Sequence, residues 1–239
     1  MPNTFFSFKR FTVNQERCAM KVGTDGVVLG ATACFDGCSR LVDVGTGTGV
    51  VSLMLKQRFP SVSITAVEID HDAAAQASEN FAASPWSVET VCDSWQNFAA
   101  EAAVCGLKFD GVVCNPPYFT ASLKAPSAGR TLARHNDSLP FSELCDGVAK
   151  VLAAGGRFFV ILPSDDMDSF VRTALAEGLF LQSVLYVHPV VDKPHKRVVL
   201  GFSMRRQAIV EEHIYIETAQ RNVYTEQFKA LVKDFYLNL

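Results

Sequence analysis

The sequence predicts an α/β fold in which seven strands build one mostly parallel sheet, helices cover its faces, and an antiparallel hairpin closes the series. Three observations carry that reading. Short β-branched runs alternate with segments of helical period between residues 41 and 178, and parallel neighbours need such crossovers. The first of these runs meets Gly45, Gly47 and Gly49, a spacing suited to a tight strand-to-helix turn. The last two long strand patterns, 180–188 and 197–204, are joined only by residues 189–196, too short for a helix, so they must be antiparallel neighbours.

Composition bounds what such a fold can do. The chain of 239 residues is long enough for one large domain with its own core, residues 1–38 forming an extension ahead of the first sheet strand. A formal charge of -3 and a pI near 6.0 exclude a globally basic nucleic-acid binder, so such a partner would have to be met by local patches. Seven cysteines without paired CxxC spacing argue against a zinc site and for free thiols in a reducing compartment; no metal is expected. No apolar run approaches the ~20 residues that span a bilayer. A cytoplasmic monomer without a membrane partner is the expectation.

Taken in order, residues 8–18 suit a strand or small hairpin, and Thr24 is placed to N-cap an apolar helix running to about Cys34. Residues 41–44 form the first sheet strand, and Val50, Leu53 and Met54 begin the helix after the glycines. A second strand over 61–70 ends in two acidic residues, Glu68 and Asp70; Asp70 suits the cap of the alanine-rich helix that Pro85 ends. A third strand, 87–92, leads to Asp93 and Ser94, with a helix over 96–105; Asp93 is either a ligand or a helix cap. The fourth strand, 109–114, runs into Asn115-Pro116-Pro117-Tyr118. Residues 140–152 read as a helix, 155–163 as the fifth strand, and 164–178 as a helix capped by Ser164 or Asp165. Residues 213–217 look strand-like and a helix starts near Thr225.

Two motifs carry chemistry. Two prolines fix φ twice and remove two donors, so Asn115 is pushed out of helical geometry at a strand end. Its side chain and a neighbouring carbonyl can then accept both hydrogens of one NH2 group, with Tyr118 available to stack on the flat ring that bears it. The glycine turn fails as a dinucleotide fingerprint because Val50 stands where GxGxxG needs a small residue. Asp43 followed by Gly45, Gly47 and Gly49 instead resembles the first motif of class I S-adenosylmethionine-dependent methyltransferases. That resemblance implies a Rossmann-like sheet, a glycine backbone beneath the cofactor's amino-acid moiety, and Asp43 near its ammonium. It also implies Glu68 on the ribose hydroxyls, and Asp93 on the adenine amine.

Asn-Pro-Pro-aromatic after strand four is similar to the amino-methyltransferases of that class. Further stretches, Lys21 to Gly26, Asp93-Ser94, Ala133-Arg134-His135, Ile161-Leu162-Pro163 and Lys196-Arg197, resemble the bacterial tRNA adenine-N6 methyltransferases acting on position 37 of valine tRNA. The resemblance implies S-adenosylmethionine as cofactor, S-adenosylhomocysteine as product and tRNA as partner. Lys21 and Thr24 would lie over the cofactor's methionine end, with Thr46, Ile69, Ser94 and Asn115 also in its site. Asn115, Pro116, Pro117 and Tyr118 would hold the acceptor. Two basic stretches without acidic residues would meet RNA: Lys124, Arg130, Arg134 and His135 in one; Lys193, Lys196 and Arg197, continuing to Arg205 and Arg206, in the other. Glutamine methylation of a protein such as a release factor is the competing activity, since those enzymes also carry Asn-Pro-Pro-Tyr; a non-catalytic cofactor-binding module is the third reading.

Overall fold

A computed structural model describes residues 3–117, 139–220 and 222–239. A short ribbon, β1 (Phe5–Ser7) and β2 (Thr12–Asn14), precedes helix α1 (Thr24–Thr32). The alternation then runs β3 (Arg40–Val44), α2 (Val50–Arg58), β4 (Ser63–Glu68), α3 (His71–Ala82), β5 (Glu89–Cys92), α4 (Trp95–Val104) and β6 (Phe109–Cys114). It continues with α5 (Phe141–Val151), β7 (Leu152–Pro163), α6 (Met167–Ala176), β8 (Phe180–Val190), β9 (Arg197–Ser203), β10 (Val210–Glu217) and α7 (Glu226–Val232).

The main sheet has the order β10-β8-β9-β7-β6-β3-β4-β5, and β9 alone among its strands pairs antiparallel to its neighbours. The chain starts at β3, builds outward to β5, then returns to β6 on the other side of β3. That reversal makes the carboxyl ends of β3 and β6 the switch point of the sheet, where sheets of this kind bind ligands. Alternate residues feed two cores. Leu29, Met54, Val113, Val187, Ile214 and Phe228 pack under α1, α2 and α7 on one face. Trp95, Val112, Leu144, Phe158 and Phe170 pack under α4, α5 and α6 on the other. Each such fully buried large side chain contributes roughly 1.5–3 kcal/mol, so the strands are held in register from both sides.

An eighth strand extends the sheet beyond the seven read from the sequence. β10 pairs parallel to β8 with His213 opposite Tyr186, and Ile214, 4% exposed, anchors it while its first four residues stay exposed. A half-polar edge strand gives little local alternation, which is why its length did not stand out. Two helix starts also differ. Gly23, not Thr24, is the N-cap of α1, because the extended backbone ends there and Thr24 is already helical; no side chain caps it. Neither Ser164 nor Asp165 caps α6: a 3-10 turn over Ser164–Asp166 leads into it and leaves no extended cap residue. Asp70 does cap α3, accepting from the Ala73 amide at 2.8 Å.

Candidate active site

The glycine turn is shaped by conformation at three places. Gly45, Gly47 and Gly49 have φ of 66°, 54° and 81°, a region in which other residues are strained. The Gly45 and Thr46 amides donate to the Val67 carbonyl at 2.9 and 3.1 Å, pinning the turn to β4. A Cβ on Gly45 or Gly47 would meet nothing within 4 Å, so that side of the backbone is open to a ligand. One on Gly49 would lie 2.5 Å from the Phe81 ring, so this glycine is also required by packing.

Asp43 is 2% exposed and its Oδ2 accepts from the Thr46 and Ser52 hydroxyls, each at 2.7 Å. Burial lifts its pKa from 3.8 to about 6, the two hydroxyls pulling the other way. It organises the turn from beneath. Glu68, 8% exposed, accepts from the Gly47 amide at 2.8 Å through Oε2 and from the Asp70 amide at 3.0 Å through Oε1. Each carboxylate oxygen has a further lone pair for a vicinal diol. Ile69 beside it is 64% exposed, an apolar surface unusual at a strand end and suited to a flat ring. Asp93 accepts through Oδ1 from the Ser94 amide at 2.6 Å and from Asn97 Nδ2 at 3.1 Å. Ser94, not Asp93, caps α4 by accepting from the Asn97 amide at 3.2 Å.

Asn115 is half-buried at the end of β6, followed by buried Pro116 and exposed Pro117. A Cβ on Gly26 of α1 would lie 3.6 Å from Asn115 Nδ2, an ordinary contact distance, and 3.3 Å from a Val50 methyl, so α1 packs directly against the Asn115 side chain. Tyr118, Lys124, Arg130, Arg134 and His135 lie outside the described residues.

The extension is bound against the same edge. Asn80 of α3 donates to the carbonyls of Asn14 and Thr48 at 2.8 and 2.9 Å and accepts from the Asn14 amide at 2.9 Å, clipping β2 to the glycine turn. Buried Gln15 accepts from the Val22 amide and donates to the Asn3 carbonyl, which also takes the Lys21 ammonium at 3.0 Å. Burial first, then the Glu68 and Asp70 carboxylates, push the Cys18 thiol to about 11, so this segment runs beside the turn. The exposed Thr24 and half-buried Asp25 follow. Asp25 Oδ2 accepts from Arg197 Nε at 2.8 Å, tying α1 to the start of β9. Gln15, Asn80 and Ser52 were not singled out from the sequence; polar residues in apolar surroundings were the available signal, and only their partners give it meaning.

The second basic stretch is divided by the fold. Lys193, Lys196 and Arg197 lie at the β8–β9 hairpin, on the same edge as Asn115 because Arg197 pairs with Pro163 at the end of β7. Arg205 and Arg206 follow the other end of β9, roughly 20 Å away for a strand of this length, and Arg206 stacks over Phe180. Among the described residues no group of three His, Cys, Asp or Glu side chains could hold a metal ion, and no helix is long and apolar enough to cross a membrane.

Strand order, reversal point and four strand ends converging on one edge define a class I S-adenosylmethionine-dependent methyltransferase fold. Solved structures share it: a methyltransferase from Pyrococcus furiosus (TM-score 0.56, 18% identity, 81% of this chain and 90% of that one). A ribosomal protein L11 methylase from Lactobacillus delbrueckii aligns similarly (TM-score 0.57, 15% identity, 81% and 84%). The methyltransferase small domain family model matches residues 32–165. A tRNA1(Val) (adenine(37)-N6)-methyltransferase of Bacteroides fragilis is 44% identical over the whole of both chains. One of Pseudoalteromonas translucida is 43% identical over 98% of this chain and 99% of its own. The chain belongs to the methyltransferase small domain family and, within it, to the tRNA1(Val) (adenine(37)-N6)-methyltransferases.

Proposed function

We propose that this protein methylates N6 of an adenine in tRNA, position 37 of valine tRNA, using S-adenosylmethionine. The observation that carries the reading is the meeting of the glycine turn, Glu68, Asp93 and Asn115-Pro116-Pro117 at one sheet edge in a chain similar along its whole length to enzymes named for that reaction. The cofactor fits what is there: open space over Gly45 and Gly47, carboxylates for a diol and an amine at Glu68 and Asp93, and exposed Ile69 for an adenine ring. Bound there, S-adenosylmethionine supplies an electrophilic methyl group on a sulfonium.

The acceptor nitrogen is a weak nucleophile because its lone pair is delocalised into the ring. Its pKa is far too high for a side chain to remove a proton first. The Asn115 side-chain oxygen and the Pro116 carbonyl accept its two hydrogens, favouring the tetrahedral nitrogen and the positive charge that develops on it. Holding that nitrogen in line lowers the entropic part of the barrier, and Tyr118 stacks on the base withdrawn from its neighbours. Lys21 and Thr24, on the extension that crosses this edge, close the site from above. Residues 1–239 act as one domain in the cytoplasm, as a monomer.

Labelled cofactor incubated with the protein and either bulk tRNA or a release factor tests the assignment. Label at N6 of an anticodon-loop adenine is expected. Label in the protein and none in RNA would overturn it in favour of glutamine methylation.

A further inference from the structure

We propose that a cluster of histidine and tyrosine rings on β8 and β10, with the two lysines of the adjoining hairpin, forms a second contact surface for the substrate RNA, away from the target base. The proposal rests on the tRNA reading above and adds a place to it. Parallel pairing sets Tyr186 and His188 beside His213 and Tyr215 on one face of the two outer strands, while Val187 and Ile214 point into the core behind them. The rings stack: Tyr186 on His213 at 4.8 Å between centroids, and His188 on Tyr215 at 4.4 Å. His195, from the hairpin, folds over both Tyr186 and His188, at 4.8 and 5.6 Å.

Hydrogen bonds fix the hairpin to this stack. The Lys193 carbonyl can only accept, so His188 Nδ1 donates to it at 2.7 Å. In the neutral ring Nε2 is then an acceptor, which His213 Nδ1 supplies with a proton at 2.9 Å. His213 Nε2 is thereby left as an acceptor on an exposed ring, suited to a base amine or a ribose hydroxyl. The backbone held at Lys193 presents Lys193 and Lys196, both exposed. Among the described residues neither ammonium has an ion-pair partner; the hairpin's other basic residue, Arg197, pairs with Asp25. Asp192 on the hairpin, and Glu211 and Asp168 near Tyr186, bound the patch with negative charge.

The position suits RNA. β8 and β10 lie three and four strands from β6, so the cluster is roughly 15–20 Å from Asn115, at the same carboxyl-end edge of the sheet but on its opposite face. That is too far for the methylated base and within reach of neighbouring nucleotides of the same RNA. A ring stack with one exposed member, His213, and three half-buried ones, beside cations without ion-pair partners among the described residues, offers what sequence-tolerant binding of unpaired nucleotides uses.

Steady-state methylation of an unmodified valine tRNA transcript by the full chain tests this. His213→Ala is expected to raise KM for tRNA roughly tenfold, the size of one lost base stack. KM for S-adenosylmethionine should stay within about twofold of the parent, and His213→Phe, which keeps a ring but not the Nε2 acceptor, should recover the stacking share of the loss. A tRNA KM for His213→Ala within twofold of an active parent would overturn the surface and leave the activity assignment standing. An equal rise in both KM values, unrelieved by His213→Phe, would also overturn it by showing a structural role. A parent protein inactive on tRNA would overturn the activity assignment itself.

Discussion

The two halves of the sheet's active edge are built differently. At the ends of β3, β4 and β5 each acidic side chain is engaged by donors close in sequence or one strand away: Asp43 by Thr46 and Ser52, Glu68 by Gly47 and Asp70, Asp93 by Ser94 and Asn97. At the ends of β6, β8 and β9 the arrangement depends on distant partners: Gly26 against Asn115, Asp25 with Arg197, His188 with His213. The half proposed to hold the cofactor is therefore organised before any ligand arrives. The half proposed to hold the acceptor is organised by the docking of the N-terminal helix and the outer strands, so perturbing those contacts should change acceptor kinetics more than cofactor affinity.

The largest effect should come from the boundary between the halves. Asn115→Ala is expected to lower kcat by roughly a hundredfold to a thousandfold, as loss of one charge-stabilising acceptor does, with cofactor affinity by calorimetry within about threefold. A parallel collapse of affinity would move Asn115 into the cofactor half. Within the cofactor half, Gly49→Ala combines a φ of 81° with a Cβ 2.5 Å from the Phe81 ring. Strain and overpacking together should cost about 3 kcal/mol in denaturant unfolding. Gly47→Ala, with φ of 54° and open space, should cost only about 1 kcal/mol; equal losses would refute the distinction drawn between the two glycines.

A titration comes next in size. Burial raises Asp43 to about 6, so its ionised form carries a penalty on the order of 3 kcal/mol in the folded state. The sign follows: the folded carboxyl holds its proton more tightly than the unfolded one. Its contribution therefore favours folding at low pH and fades as pH rises from about 3.8 to about 6. Asp43→Asn should remove that slope from stability measured across this interval. If Asp43 faces the cofactor's ammonium, parent affinity should fall as pH drops below about 6 and the Asn variant should show no such inflection.

The smallest effects test the acceptor half. The Asp25–Arg197 pair is about a third exposed at each end, so a double-mutant cycle on methyl transfer should show a coupling of roughly 0.5–1 kcal/mol. Additive losses would make the contact incidental. Because Arg197 already has a carboxylate partner, Arg197→Ala should flatten the salt dependence of RNA binding less than Lys193→Ala with Lys196→Ala, which should remove roughly two from the slope.

Local chemistry by itself determined most of the fold and the form of the strand ends proposed to hold the cofactor. Alternating periods set the parallel sheet, alternate glycines after Asp43 set a turn only they can make, and Asp70 announced its cap three residues ahead of the amide it takes. The place of Asn115 just beyond a strand end was legible because two prolines admit few conformations. Tertiary structure alone decided the rest. It made Gly23 the cap of α1, added β10 as an eighth strand, and carried Arg205 and Arg206 to the far edge from Lys196. It also joined Asp25 to Arg197 across 172 positions and built a ring stack from residues that lay unremarked on two strands. The reason is reach: propensity and turn chemistry act over a few residues, whereas a long-range pair exists only once packing has placed both partners.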